Sequence, residues 1–175
     1  IKNGTTAVVF FNGAGSGAVA ANILSDLQIE GLSTATAGTS NLRLGKNAGD
    51  AIVSGGNNNV VVGDEAGTAL TTGDSNVSVG KGSLSSDTLG NQATAIGFGA
   101  LATQNFTTSV NGNNVAVGYN AGTSITTGEQ NVLIGAISGD VLTDGDTNTA
   151  VGNASLTLDV LGSKSTAIGY NSLGS

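Results

Sequence analysis

A short phrase that ends in glycine recurs eight times in this chain and limits the folds open to it. The residues that close the phrase are 18, 17, 17, 21, 17, 17 and 17 positions apart. A period this short and regular predicts a solenoid in which each repeat forms one coil. The copies are NLRLG (41–45), NVVVG (59–63), NVSVG (76–80), ATAIG (93–97), NVAVG (114–118), NVLIG (131–135), NTAVG (148–152) and STAIG (165–169).

Each phrase alternates between two kinds of side chain. The residue before the closing glycine is always Val, Ile or Leu, and the residue two positions earlier is Val, Leu or Thr. The residue between them is mostly Ala or Ser, with Arg43, Val61 and Leu133 as exceptions. Alternate residues of a strand face opposite sides, so one face is branched and the other small. The branched face suits a buried site, and the small face predicts close approach of another surface, such as a second copy.

Glycine and asparagine recur in phase with the phrase. The other half of each coil, for example ALTTG (69–73), is expected to form a second short strand. Gly lies ten residues after the closing glycine in most coils, which predicts a turn with positive φ. Asn lies four residues before it, where stacked coils would align the amides in a ladder. Contact with a ligand stays open as the alternative role for these residues: Gly55, Gly73, Gly90, Gly128, Gly145 and Gly162, and Asn41, Asn59, Asn76, Asn114, Asn131 and Asn148.

A longer pattern divides the repeats into two groups. The fourth residue after the closing glycine runs Gly, Gly, Leu, Leu and then repeats that order (Gly49, Gly67, Leu84, Leu101, Gly122, Gly139, Leu156, Leu173). The predicted β-roll repeat domain therefore spans 41–175, in two blocks of four coils at 41–110 and 111–175. Residues 1–40 lack the repeat and are expected to form an N-terminal cap or a connector to an upstream shaft. The predicted fold class is all-β, a parallel β-roll or β-solenoid of about eight coils with a 17-residue period, expected to be homotrimeric.

Composition argues against several classes of function. The chain contains no His and no Cys, so ordinary nucleophilic triads, thiol chemistry and the usual zinc sites are not available. We expect no enzyme and predict no catalytic, cofactor-binding or metal residues. Twelve acidic residues against five basic ones give a net charge of −7, which argues against nucleic acid as a partner. No apolar run approaches the ~20 residues of a membrane span, so no membrane insertion is expected within this segment.

Two phrases carry a resemblance to a known family. NVAVGYNAG (114–122) and STAIGYNSLG (165–174) resemble the head repeats of trimeric autotransporter adhesins. Similar repeats occur in bacteriophage tail-fibre and other appendage proteins. The resemblance covers roughly residues 41–175 and implies a left-handed parallel β-roll in which three chains pack side by side. The 17-residue period is longer than that of the adhesin heads, which favours the phage type.

Two sets of residues are candidates for contact with a receptor. The fourth coil is four residues longer than its 17-residue neighbours, within 103–113, and insertions in solenoids usually leave the coil as loops that carry recognition. Asn105, Phe106, Thr107 and Thr108 form this possible receptor-contact loop, with Phe106 expected at its tip; the alternative is a tolerated insertion. The residues after three closing glycines form a possible aromatic rim for stacking on sugars or for packing at the rim: Phe98, Tyr119 and Tyr170.

Two weaker patterns accompany these candidates. Asp140, Asp144 and Asp146 carry oxygens of the kind that hold Ca²⁺, but without a known calcium-loop spacing they read better as a solvated turn. Paired threonines (71–72, 107–108 and 126–127) raise the hypothesis of ice binding, although the pairs do not recur in every coil.

The sequence thus predicts a structural segment of an extracellular trimeric fibre. A phage tail fibre or virion appendage that contributes to host attachment is the first expectation. A bacterial trimeric surface adhesin head is the alternative, and an ice-binding β-solenoid is a minor one. The expected partners are two further copies of the chain and a cell-surface glycan or protein receptor. No cofactor is expected.

Overall fold

A computed structural model describes residues 37–174 of the chain. These residues belong to one compact unit, Ser33–Ser175. The predicted cap or connector over 1–40 therefore lies outside the described residues, apart from 37–40.

Eight three-residue strands, one from each glycine-ended phrase, form a parallel sheet in which they lie in chain order. Equivalent positions pair, as in Val60 with Val77 and Ala116 with Leu133. The chain is therefore a β-solenoid with a period near 17 residues, as its spacing predicted, and it makes about seven turns where about eight coils were expected. The strands are β1 (Leu42–Leu44), β2 (Val60–Val62), β3 (Val77–Val79), β4 (Gly90–Asn91), β5 (Thr94–Ile96), β6 (Val110–Asn111), β7 (Val115–Val117), β8 (Val132–Ile134), β9 (Thr149–Val151) and β10 (Thr166–Ile168).

The predicted second strand in every coil is wrong for most of them. Within 37–174, only β4 and β6 add such strands, and they pair as a separate two-stranded parallel sheet. Elsewhere on this side of the solenoid, isolated backbone hydrogen bonds join successive coils, such as the bond from the Thr71 amide to the Thr88 carbonyl at 2.9 Å. The chain turns at glycine soon after each such bond, so consecutive residues do not stay extended long enough to form a ladder.

The two faces of the main sheet are the reverse of the sequence-based prediction. The middle residue of the strand points inward, and Val61, Ala116 and Leu133 are fully buried. The branched residues on either side point outward, and Leu44 and Ile168 are 59% and 70% exposed. A coil of this length encloses a narrow interior, which side chains from its other half also enter. The strand therefore contributes mostly small residues to the interior, and its larger, branched side chains lie on the outer surface of the solenoid.

The repeated order Gly, Gly, Leu, Leu reflects how this interior is filled. Where the fourth residue after the closing glycine is leucine, as at Leu84, the inward residue of the strand in the same coil is small, in this case Ser78. Where it is glycine, a larger side chain takes the space: a Cβ on Gly67 would lie 2.7 Å from Val61 Cγ1 of the same coil, and in the fifth coil, whose strand residue is Ala116, a Cβ on Gly122 would lie 2.7 Å from Leu133 of the next coil. Side chains from the two halves of a coil thus complement each other in volume, as close packing requires.

The inward leucines hold an unfavourable backbone. Leu84, Leu101 and Leu156 have φ between +47° and +56°, a region that costs an L-residue roughly 1–2 kcal/mol. All three side chains are fully buried, and such burial contributes about 1.5–3 kcal/mol per side chain. The core therefore offsets the strain at each position.

Two glycine columns run along the solenoid for different reasons. The closing glycines adopt φ from +117° to +144°. The second column, ten residues later, was predicted to do the same, but in the described chain only Gly55 has a positive φ there. Gly73, Gly128 and Gly145 are needed for close stacking of coils, since a Cβ on Gly73 would lie 2.4 Å from the Gly90 carbonyl oxygen, while a Cβ on Gly90 or Gly162 would meet the side chain of Asp87 or Asp159.

Candidate functional site

The asparagine column forms the amide ladder that the sequence predicted. Asn59 Oδ1 accepts the backbone amide of Asn76 at 2.9 Å, and Asn59 Nδ2 donates to the Gly73 carbonyl at 2.8 Å. The same pair of bonds recurs at Asn131, toward Asn148 and Gly145. Every asparagine of the column is buried. These amides bond successive coils to each other, which is the structural role and not the ligand-binding one.

The long fourth coil keeps its extra residues within the stack. Phe106 is only 3% exposed, and its ring lies between Gly90 and Gly112, where an added Cβ on either would approach it to 2.7 Å. The prediction that Phe106 stands at a loop tip is therefore wrong. The two glycines leave a slot as wide as the ring, and burial of that ring holds the insertion against the preceding coil.

Three of the four predicted contact residues remain at the surface. Asn105, Thr107 and Thr108 are exposed. Asn105 is tied to the stack, because its Oδ1 accepts the Thr88 hydroxyl at 3.0 Å and its amide donates to the Thr126 carbonyl. The usable part of the candidate loop is therefore the Thr107–Thr108 pair beside an anchored asparagine.

A buried polar chain joins the two blocks of coils. The fourth coil has Ala93 where most coils have asparagine, and Gln104 supplies the missing amide. Gln104 Oε1 accepts from Asn114 Nδ2 at 2.9 Å, while its Nε2 donates to Asp87 Oδ2 at 2.6 Å. Asp87 Oδ1 also accepts the backbone amides of Gly90 and Phe106. No sequence pattern pointed to a role for Asp87 or Gln104, although Ala93 in the asparagine column was a visible signal.

The buried position of Asp87 gives the protein a defined pH dependence. Burial raises the pKa of its carboxyl above the usual 3.8, and the hydrogen bonds from Gln104, Gly90 and Phe106 only partly oppose that shift. A raised folded-state pKa means that the folded protein holds the proton to higher pH than the unfolded chain does. The stabilising contribution is thus full below pH 3.8 and is lost as pH rises through the folded pKa.

The variant Asp87→Asn should remove this dependence. We expect the unfolding free energy of the unchanged protein, minus that of Asp87→Asn, to fall as pH rises from 3.5 to 7. Urea denaturation across this range measures the difference. Altered hydrogen bonding adds a constant offset and leaves the slope intact. A flat difference would show that the Asp87 pKa is the same in the folded and unfolded chains.

The predicted aromatic rim exists in part. Phe98 and Tyr119 lie in adjacent coils with ring centroids 5.6 Å apart and planes 15° from parallel. Both rings are about half exposed. Tyr170 is 81% exposed in the same column, but two intervening coils carry Ala136 and Asn153 at this position. The structure thus brings together one stacked pair, with Tyr170 apart from it.

Two of the three acidic residues considered for Ca²⁺, Asp144 and Asp146, have separate hydrogen-bond partners, whereas Asp140 Oδ1 is buried without one. Asp144 accepts the hydroxyls of Thr126 and Thr127, and these bonds lower the pKa of its carboxyl. Asp146 accepts the backbone amide of Glu129. Over residues 37–174, no three His, Cys, Asp or Glu side chains are grouped so that they could hold a metal ion. The same part of the chain has no helix long and apolar enough to span a membrane.

The largest candidate surface is the outward face of the main sheet. Two columns of side chains line it, and neither contains a charged residue. Ile96 and Ile134 are 38% and 39% exposed, and the sheet ends at Leu44 and Ile168 are exposed further. We call this surface the outer face; its residues are Leu42, Val60, Val77, Thr94, Val115, Val132, Thr149 and Thr166 in one column, and Leu44, Val62, Val79, Ile96, Val117, Ile134, Val151 and Ile168 in the other.

Comparison of the chain with protein-family models, with curated proteins and with solved structures gave no match. The fold and its surfaces are therefore the ground for a functional assignment, together with the resemblance of the repeats at 114–122 and 165–174.

Proposed function

We propose that this chain is a structural segment of an extracellular trimeric fibre, a phage tail fibre or virion appendage that contributes to host attachment. The observation that carries the proposal is the outer face, a charge-free surface of branched side chains left open on a parallel sheet. Sheets with only parallel strands are ordinarily covered on both faces. Here the solenoid interior covers one face, and we assign the other to the contact between copies.

The size and shape of the outer face support this assignment. Eight strands separated by seven spacings of about 4.8 Å make a strip roughly 34 Å long. Soluble monomers seldom expose an apolar patch of such continuity. The strip repeats with the spacing of the strands, so three parallel copies around an axis along the strip would place equivalent coils at the same height. One column of the strip on each copy would then meet the other column on the next copy, which is the heterologous contact that closes a cyclic trimer. The proposed interface is thus the branched face and not the small one that the sequence suggested.

Charge supports a soluble fibre. The chain carries a net charge of −7, and the charged residues that the structure describes lie off the outer face, as Lys81 and Asp64 do, which pair at 3.2 Å. Like charge on the outside of an assembly opposes lateral bundling, while the neutral outer face carries no such repulsion between copies.

A bacterial trimeric surface adhesin head is the second candidate. The resemblance of residues 114–122 and 165–174 to adhesin head repeats favours it, and the outer face serves that assembly equally well. Ice binding has less support, because threonine occupies the outer face only at Thr94, Thr149 and Thr166. On the opposite side, the hydroxyls of Thr71 and Thr143 donate to carbonyls of the next coil.

The oligomeric state tests the proposal directly. We expect light scattering after size-exclusion chromatography to give about three times the chain mass of 16.8 kDa. Val132→Glu should reduce the mass to one chain, because it places a charge at the centre of the desolvated outer face, while circular dichroism stays unchanged. Ser54→Glu, which adds the same charge at an exposed turn, should leave the trimer intact. A folded monomer at all concentrations would contradict the proposal.

Attachment tests the receptor-contact residues. A pull-down with a panel of bacterial strains first identifies the cells that the unchanged protein binds. We expect the double variant Thr107→Ala/Thr108→Ala to bind those cells at least fivefold more weakly. Thr72→Ala alters an equally exposed threonine on another coil and should bind normally. Point variants are needed here, because deleting this segment would also remove the buried Phe106. Equal retention of all variants would exclude the Thr107–Thr108 pair as the contact.

A further inference from the structure

A stacked aromatic pair lies in the middle coils, on a surface column of its own. Phe98 and Tyr119 are consecutive members of this column, with ring centroids 5.6 Å apart. Both follow the glycine that ends a strand, so they are not part of the outer face that we assign to contact between copies. The column consists of the residues directly after the closing glycines: Lys46, Asp64, Lys81, Phe98, Tyr119, Ala136, Asn153 and Tyr170.

The stacking orders the two rings and leaves much of each accessible. Phe98 is 52% exposed and Tyr119 is 55% exposed, although each ring already covers part of the other. Stacked rings attract each other, so the pair holds one arrangement at the surface. An ordered tyrosine ring offers a large contact area and loses little conformational freedom on binding, which makes tyrosine a frequent anchor of binding surfaces. The pair is thus a pre-ordered apolar platform.

The position in which a third ring would stack on Tyr119 is left open by the column. The next member is Ala136, whose side chain is one methyl group, and the member after it is the exposed Asn153. Two coil spacings of about 4.8 Å put the positions of Tyr119 and Asn153 roughly 10 Å apart. A ring between them needs a contact of about 3.5–4.0 Å on each side. The space between these positions therefore suits a ligand that is one ring thick.

The chemistry around this open position selects a neutral ligand with an apolar face and a polar edge. Between Lys81 and Lys164 the chain has six acidic residues and no basic one, so an anionic ligand would be repelled. Tyr119 offers an apolar ring, and the exposed carboxamide of Asn153 offers both a donor and an acceptor. A pyranose ring has the matching combination, because its C–H groups form an apolar face and its hydroxyl groups lie around the edge.

The extent of the platform also favours a small ligand over a protein. A stable protein interface buries about 800 Å² on each partner around an apolar centre. Here the column continues into the paired charges of Asp64 and Lys81 on one side of the rings and into Asn153 on the other. Two rings and a methyl group match the face of one sugar unit better than the centre of such an interface.

We propose that Phe98 and Tyr119 form a binding site for one unit of a neutral saccharide. The sugar ring lies on Tyr119 beside Ala136, and its hydroxyl groups face the carboxamide of Asn153. Phe98 supports the tyrosine ring from the other side. The inference rests on the proposed role in attachment, to which it adds a class of receptor, a neutral glycan. The site is separate from the Thr107–Thr108 pair.

Binding to a glycan array tests the inference. The array carries neutral and acidic oligosaccharides of hexoses and N-acetylhexosamines, and the intact chain is applied at increasing concentration. We expect saturable binding to a neutral oligosaccharide, and Tyr119→Ala should weaken it about tenfold or more, as truncation of an anchor tyrosine does. Tyr119→Phe keeps the ring face and should bind nearly as well. Val53→Ala, which shortens an apolar side chain that is 46% exposed on the first coil, should bind normally.

Filling the open position gives a second test. Ala136→Lys extends a side chain along the Tyr119 ring, and the fold should tolerate it because the same column contains Lys46 and Lys81. We expect this variant to lose the neutral saccharide. Gln92→Lys adds the same charge at an exposed position of another column and should retain it. Full binding by Ala136→Lys would overturn the placement of the sugar.

The mass of the same samples separates this inference from the proposed fibre. A trimer that binds no neutral saccharide, binds only acidic ones, or binds equally well after Tyr119→Ala would reject the inference and leave the fibre proposal intact. A folded monomer with saturable, Tyr119-dependent binding would support the site and contradict the fibre. Loss of the trimer in Tyr119→Ala would show that the pair packs between copies, and this result would also overturn the inference.

Discussion

Gly135→Ala should lower the free energy of unfolding by about 2–6 kcal/mol. At this position φ is +133°, and an added Cβ would lie 2.3 Å from the carbonyl oxygen of Gly152 in the next coil. The backbone strain costs roughly 1–3 kcal/mol, and forcing an atom into a packed contact costs roughly 1–3 kcal/mol more. The next coil cannot move away alone, because the strands on both sides hold its backbone. Urea denaturation followed by circular dichroism measures the loss.

The terminal member of the same glycine column provides a matched control. Gly169 has a φ of +117°, but an added Cβ there would meet no atom within 4 Å. Gly169→Ala therefore introduces the strain without the clash and should cost only about 1–3 kcal/mol. Equal losses for the two variants would show that conformation alone, and not stacking of coils, requires glycine in this column.

Asn131→Ala should be destabilising to a similar degree, by about 2–6 kcal/mol. The change removes the acceptor of the Asn148 amide and the donor to the Gly145 carbonyl, at 2.9 Å and 2.8 Å. Asn131 is fully buried, and each buried polar group left without a partner costs roughly 1–3 kcal/mol. The midpoint of thermal unfolding and the urea-derived free energy should both fall.

Asn153→Ala is the control for this experiment. It removes the same side chain from an exposed position in the next coil, where a substitution should change stability by less than about 0.5 kcal/mol. The fourth coil shows what alanine in the ladder requires, because Ala93 is accompanied there by Gln104. A loss below about 1 kcal/mol for Asn131→Ala would mean that water replaces the amide.

The candidate site was only partly predictable, and the errors share one cause. Phe106 was placed at a loop tip because an insertion in a repeat usually projects from it, yet slots at Gly90 and Gly112 hold the ring inside. Gly90 and Gly112 belong to different coils, so their approach to the ring from both sides depends on the register of stacking. The partnership of Asp87 with Gln104, 17 residues apart, was missed for the same reason.

The sequence by itself determined the period, the positions of the eight main-sheet strands, their parallel pairing and the asparagine ladder. All of these follow from local chemistry repeated at one spacing, so that each residue stacks on its own equivalent. Only the tertiary structure decided which face of the strand points inward. Alternation separates two faces but does not say which one is enclosed. That choice depended on volume: leucines such as Leu84 and Leu156, from the opposite half of the coil, occupy the interior, and the strand's branched side chains are left outside.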